Sequence, residues 1–314
     1  MDPESAPALS TVTAAVAALS RGALVGLPTE TVYGLGADAT QSTAVARIFA
    51  AKGRPHFNPL ISHVPDLAAA QKLGVFSPLA TRLAAAFWPG PLTLVVPRTA
   101  DCPVCELACA GLPTIALRVP SHPVMQAVLQ AFAKPVAAPS ANLSGRPSPT
   151  LAAHVESELG AHVALVVDGG PCAVGLESAV VAVDGERATL LRLGGLSREA
   201  LEAVAGPLMS PHEVDQAAPP APGMVLRHYA PQALVRLNVT APAPGEIWIG
   251  FGPDCAAADF NLSPTGDVTE AAANLFAYLR AADAQKPRAI AFAPIPATGL
   301  GEAILDRLHR AAEG

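Results

Sequence analysis

Short apolar runs of strand length alternate with amphipathic stretches along the first two hundred residues. Residues 23–27, 60–62, 92–97, 114–119, 135–138, 164–168, 178–183 and 188–193 read as β-strands, rich in Val, Ile, Leu and Ala. Between them, 41–51, 77–87, 122–133 and 197–205 carry apolar residues at helical spacing. The first helix stops at Gly53, and the second opens on Ser77-Pro78, a capping hydroxyl followed by a proline at the first helical position. Such an alternation predicts an α/β fold, a twisted mixed sheet with flanking helices.

The pattern breaks at 206–229, where prolines 219, 220 and 222 cannot continue a helix or a central strand. The chain therefore divides into a domain of residues 1–205, a semi-rigid linker or lid of residues 206–229, and a second domain of residues 230–314. In the second domain, strand 246–251, helix 268–283, strand 288–294 and helix 301–312 predict a small Rossmann-like α/β unit with parallel strands.

With 314 residues, 51% hydrophobic but only 4% aromatic, both cores must be built mainly from Ala, Val and Leu. The net charge of −6 speaks mildly against a module that grips nucleic acid through its phosphates, so any RNA binding is expected to be weak. The N-terminus lacks the basic start and apolar stretch of a signal peptide, and runs such as ALVGL and VALVV are too short to span a bilayer. Five cysteines, an odd number, make a poor disulfide framework. These features predict a cytoplasmic protein with no membrane association.

The common nucleotide signatures are missing: there is neither GxxxxGK[ST] nor GxGxxG after a strand. Cys102, Cys105 and Cys109 lack a histidine at zinc-site spacing and read as a surface loop. What remains is a set of polar clusters at strand ends. PTETVYGLGADAT (28–40) reads as a Pro/Gly-rich turn carrying Thr29, Glu30, Thr31 and Tyr33. AKGRPHFNPLISHV (51–64) puts Lys52, Arg54, Asn58 and His63 after a helix end. Lys52 and Arg54 point the same way if extended, which suits phosphate oxygens, and they equally fit a solvated loop. Arg118 lies in the apolar strand TIALRV and needs an acidic partner or an anionic ligand. Ser140, Asn142, Ser144, Ser148, Ser178 and Arg192 complete the clusters, and five such clusters in one domain point to a shared polar cleft.

The ordered segments PTETVYGLG, KGRPHFNPL with His63 following, FWPGPLTLV, GLPTIALRVP, APSANLSGRPSPT, DGG and GLESAVV closely resemble the YrdC-like threonylcarbamoyl-AMP synthases over about residues 10–205. The remainder, with HYAP at 228–231, is similar to the two-domain branch of that family. The resemblance implies a nucleotidyltransferase that makes threonylcarbamoyl-AMP and pyrophosphate from L-threonine, bicarbonate or CO2, and ATP. The product would pass to a separate tRNA threonylcarbamoyl transferase complex, and Mg2+ would arrive with ATP, with no metal site in the protein itself. Carried onto matching positions, threonine contacts fall to Thr31, His63, Arg118, the backbone at Ala138, and Ser178. ATP contacts fall to Lys52, Arg54, Asn58, Thr114, Ser140, Asn142, Ser148, Arg192 and Tyr229. Ala179 stands where the family commonly has Thr, and Leu305 where a polar Asn is usual. Two other readings are a double-stranded RNA-binding module, disfavoured by the acidic charge, and a carbamoyl-handling domain like those of hydrogenase-maturation proteins, whose extra zinc-finger-like regions find no counterpart here.

Overall fold

The computed structural model describes residues 9–53, 58–210 and 229–313. In chain order the strands of the larger sheet are β1 (Val25–Leu27), β2 (Gly34–Asp38), β3 (Ile61–His63), β4 (Leu92–Pro97), β5 (Thr114–Arg118), β6 (Val136–Ala137), β7 (Leu165–Val166), β8 (Ala179–Asp184) and β9 (Arg187–Arg192). They lie side by side in the order β7-β1-β2-β6-β3-β5-β4-β8-β9. Parallel pairs (β3 with β5, β4 with β8) and antiparallel pairs (β4 with β5, β8 with β9) mix, as expected for the twisted mixed sheet. The smaller sheet holds β10 (Leu234–Arg236), β11 (Glu246–Gly250), β12 (Phe260–Asn261) and β13 (Ala289–Phe292), all parallel, in the order β10-β13-β11-β12.

The helices end where the local chemistry says they should. Ser77 accepts a hydrogen bond from the Ala80 amide to start Pro78–Phe87, Ser197 does the same for Arg198–Ala205, and Asp267 caps Val268–Ala284. Gly53 closes Ser42–Lys52 in the left-handed conformation (φ 60°). Helices Leu9–Ser20 and Ala152–Leu159 and strands β2, β10 and β12 go beyond the expected elements. The Pro/Gly-rich segment 28–40 is therefore corrected: it is a turn only up to Tyr33, after which Gly34–Asp38 forms a fully buried strand.

The larger sheet has two unlike faces. Leu94, Leu117 and Val181 point into the main core beneath helices Ser42–Lys52 and Pro78–Phe87. On the other face lies a small apolar patch of Ile61, Val95, Ala116 and Val180. Side chains alternate along a strand. His63 therefore shares the face of Ile61, Arg118 that of Ala116, and Thr93 that of Val95. The register gathers them, for His63 pairs with Arg118 and Thr93 with Val180. This lightly covered face is where the polar cleft forms. Of the expected linker, Thr189 bridges to Met209 along the sheet edge, and residues 211–228, with their prolines, lie outside the described residues.

Candidate active site

A cleft opens over this end of the sheet. Thr31, His63, Arg118, Ala138, Ser140, Ser178, Arg192 and Tyr229, all singled out in the sequence, line it together. So do Glu177 and the apolar Val32, Pro59, Leu60, Ile61 and Pro139. Residues more than a hundred positions apart are thus brought into one site by β3, β5, β8 and β9.

Arg118 is buried at 3% exposure, and the sequence requirement for an acidic partner is met inside the protein. Its Nη2 donates to Glu30 Oε1 at 2.6 Å, its Nη1 to Thr31 Oγ1 at 2.9 Å, and its Nε to the Gly90 carbonyl at 3.2 Å. Glu30 is in turn held by the Ser121 amide at 3.1 Å. A guanidinium has five N–H groups. Three are spoken for, which leaves one on each terminal nitrogen, the pair needed to fork onto a carboxylate.

His63 sits beside Arg118 with its Nδ1 buried and without a hydrogen-bond partner. Burial first, and the Arg118 cation second, push its pKa down to about 3. The imidazole is therefore neutral at physiological pH, with a ring nitrogen available for a hydroxyl. The Ala138 N–H is already given to the Ile61 carbonyl at 3.1 Å, so the carbonyl is what that residue offers a ligand.

Ser178 ends the loop entering β8, and its hydroxyl bonds Thr93 Oγ1 at 2.7 Å. Arg192 reaches across to it, donating to the Ser178 carbonyl from Nε (3.2 Å) and Nη2 (3.0 Å) and to its hydroxyl at 3.2 Å. Arg192 faces the cleft because of a register shift. Val180 pairs with Arg192 whereas Val181 pairs with Leu190, a bulge that turns Arg192 out of the core side and onto the cleft face. Burial lowers the Arg192 pKa from its ordinary value; the Glu177 carboxylate opposes that fall, and the Arg307 and Arg118 cations add to it.

The other expected nucleotide contacts do not line the cleft directly. Lys52, expected in a polar loop, instead closes a helix, is 3% exposed, and gives its ammonium to the carbonyls of Ser140 (2.6 Å) and Asn142 (2.5 Å). It braces the PSAN turn from behind. Asn142 donates to the Leu143 and Arg146 carbonyls and leaves Oδ1 buried without a partner, and Asn58 Oδ1 is orphaned likewise. Ser148 is buried and donates to Glu177 Oε1. Thr114 stands at the far end of β5, on the same face as Arg118 by alternation. Arg54 lies outside the described residues. Thr29 caps the turn around Thr31, and Tyr33 is spent on structure, bonding the Gly170 carbonyl at 2.8 Å.

Tyr229, expected among the ATP contacts, is 2% exposed and held from two sides. Its ring stacks on Phe276 at 5.4 Å, and the Arg307 guanidinium lies over it at 5.3 Å. Glu177 and Arg307 were not singled out in the sequence. A glutamate two residues past a glycine and an arginine on an amphipathic helix both read as surface residues. Among the described residues, no group of three or more His, Cys, Asp or Glu side chains could hold a metal ion.

Comparison with known proteins gives a consistent picture. The family described as "Telomere recombination" matches residues 17–194, and the family described as "Threonylcarbamoyl-AMP synthase, C-terminal domain" matches residues 196–313. The chain is 39% identical to a threonylcarbamoyl-AMP synthase of Bacillus subtilis, over 96% of this chain and 92% of that one. It is also 39% identical to the enzyme of the same name from Pyrococcus abyssi, over 94% and 92% of the two chains. The crystal structure of P. abyssi Sua5 complexed with L-threonine superposes with a TM-score of 0.86 at 37% identity, covering 96% of this chain and 94% of that one.

Proposed function

The chain belongs to the threonylcarbamoyl-AMP synthase family, and on that premise we propose how its cleft joins L-threonine, bicarbonate-derived CO2 and ATP into threonylcarbamoyl-AMP and pyrophosphate. The observation that carries the reading is one cleft with two cationic poles, Arg118 and Arg192, separated by neutral hydroxyls and an imidazole. Arg118 takes the threonine carboxylate on its two remaining N–H groups. His63 and Thr31 meet the threonine hydroxyl, and the Ala138 carbonyl and Ser178 hold its amine. The amine, once deprotonated, adds to CO2 and gives a carbamate, with the proton released to solvent. One carbamate oxygen then attacks the α-phosphorus of ATP, and the bond from that phosphorus to the bridging oxygen breaks as pyrophosphate departs.

This chemistry needs no protein nucleophile. It needs two anions held close together and the developing charge on pyrophosphate neutralised. Arg192, together with the PSAN turn braced by Lys52, faces the phosphates, and Arg54 is assigned to the same task by its place in the motif. The ring of Tyr229 walls the cleft against water, which would hydrolyse the mixed anhydride. The Ser140 hydroxyl and the backbone carbonyls of the cleft lining would suit the water shell of a Mg2+ that enters with the triphosphate. That ion would supply charge neutralisation of the phosphates. The product, a reactive acyl phosphate anhydride, requires a second enzyme to pass its acyl group on, and we assign that step to a tRNA threonylcarbamoyl transferase.

Pyrophosphate release measured with each substrate omitted in turn tests the proposal. Release is expected only when threonine, bicarbonate and ATP are all present. Release that is indifferent to threonine would overturn the proposal.

A further inference from the structure

The C-terminal domain packs against the back of the cleft wall, and there it contributes one buried cation among the described residues that contacts a cleft-lining carboxylate. Arg307, on the helix Leu300–Ala312, is 1% exposed. Its Nε and Nη2 each lie 3.2 Å from Glu177 Oε2, its Nη2 also donates to the Leu193 carbonyl at 2.7 Å, and Asp306 holds its Nη1 at 2.7 Å. The other carboxylate oxygen of Glu177 accepts from Ser148. Glu177 lines the cleft together with Arg192, yet all of the Arg192 hydrogen bonds go to Ser178.

Among the described residues, three carboxylates (Glu30, Glu177 and Asp306) and three guanidinium groups (Arg118, Arg192 and Arg307) meet here. Glu30 is paired to Arg118, and Glu177 is paired to Arg307. Asp306 also pairs with Arg307, so among the described residues Arg192 is the cation of the three that hydrogen-bonds to neutral groups only and has no carboxylate in contact. It lies in a half-buried setting where a charge without a contacting counter-ion attracts an anion strongly. We propose that Arg307 is a positioning residue supplied by the C-terminal domain: by engaging the Glu177 carboxylate and backing the Tyr229 ring, it keeps Arg192 available to the nucleotide phosphates. Without Arg307, Glu177 would turn its charge on Arg192 and compete with ATP for it. The C-terminal domain is then part of the nucleotide site without touching the nucleotide.

The inference rests on the reading of the cleft as an ATP site, and the test separates the two. ATP and threonine affinities are measured by titration calorimetry, alongside steady-state KM values, for wild type, Arg307→Lys, Arg307→Met and the double variant Glu177→Gln/Arg307→Met. Losing one charge-assisted contact corresponds to about tenfold in affinity. Arg307→Met is therefore expected to weaken ATP about tenfold and threonine less than twofold, with Arg307→Lys in between. The double variant removes the misplaced carboxylate charge and is expected to recover most of the ATP affinity. It also replaces both members of a buried pair, which cores tolerate far better than loss of one, so it decides the question even if Arg307→Met does not fold. ATP affinity unchanged in Arg307→Met, or a double variant that binds ATP no more tightly than Arg307→Met, overturns the inference. Wild-type protein that binds no ATP overturns the functional reading instead.

Discussion

At the scale of single residues, the cleft works by controlling which buried charges stay paired. Arg118 is the clearest case, because it holds the Glu30 carboxylate and keeps two N–H groups for the threonine carboxylate that we propose it binds. Arg118→Ala should weaken threonine binding by roughly 1.5–3 kcal/mol, one to two decades, as read by calorimetry. It should also cost stability, since Glu30 would be left as a buried charge without its cation, a loss of about 3–5 kcal/mol in comparable cases. Arg118→Lys should preserve much of the stability yet recover threonine binding only in part, because a point charge cannot reproduce the fork. Threonine affinity unchanged in the alanine variant would refute the assignment. His63 gives a pH prediction of definite sign. Its folded pKa of about 3 lies below the usual 6.5 or so of an unfolded histidine. The folded state therefore binds fewer protons, and the stability contributed by neutral His63 is present above pH ~6.5 and lost as pH falls toward 3. His154, pushed down to about 4 mainly by burial, loses stability over the same acid range. His63→Asn should accordingly flatten, without abolishing, the acid-side decline of unfolding free energy, and the His63 ring should show no NMR titration above pH ~4.5. An inflection near 6.5 would contradict the geometry. Much of this scale was legible in the sequence: an arginine inside TIALRV demands an anion on physical grounds alone. The partner's identity was not, because Glu30 lies 88 positions away and only folding brings it there.

At the scale of elements, close backbone approach and one bulge aim the side chains. Gly194 follows β9 and packs against the strand start opposite; an added Cβ would lie 2.3 Å from the Glu177 carbonyl and 2.4 Å from the Ala179 amide. These are backbone atoms that cannot step aside. Gly194→Ala should therefore displace Ser178 and Arg192 together, lower unfolding free energy by roughly 1–3 kcal/mol, and reduce turnover more than tenfold. A variant with wild-type kinetics would show that the Ser178–Arg192 geometry is not needed. Strands and helices with strong apolar period, such as 92–97, 122–133 and 268–283, were readable within one or two residues. Strand β2 was not, because GLGAD spells a turn. The reason for its glycines is steric: a Cβ at Gly36 would meet Leu27 Cδ1 at 2.7 Å. The helix Leu9–Ser20 escaped notice because its run of Ala and Thr carries weak period. The bulge at Arg192 was also invisible, since strict alternation in ATLLRL would have sent that side chain to the core face.

At the scale of the whole molecule, the two sheets are joined by packing and charge alike. Val32 and Leu176 of the first domain are buried in the same apolar cluster as Phe276, Ile304 and Leu308 of the second. Gly175, in a left-handed turn (φ 73°), lets the loop before β8 touch the helix Val268–Ala284, where a Cβ would lie 2.4 Å from the Ala272 carbonyl. Arg280 donates to Glu158 at 2.6 Å and to the Pro147 carbonyl, and Arg198 pairs with Glu302 at 2.8 Å. The second, parallel-stranded unit was legible from its alternation of strand and helix, whereas this mutual burial was not, because no periodicity in sequence announces which faces of two domains will meet. A chain truncated after residue 205 should thus expose Val32 and Leu176, lose Tyr229 from the cleft and Arg307 from behind it, and show both a lowered melting temperature and loss of most activity. Full activity in that truncation would mean that the C-terminal domain is a passive appendage. The central claim is that the cleft joins a carbamate, and not the threonine carboxylate itself, to the α-phosphorus. Mass spectrometry of the nucleotide product formed with 13C-bicarbonate tests it most directly. The account predicts an AMP conjugate of threonine that carries one extra labelled carbon and appears in step with pyrophosphate; an unlabelled threonyl-AMP, or AMP and pyrophosphate with no conjugate, would contradict it.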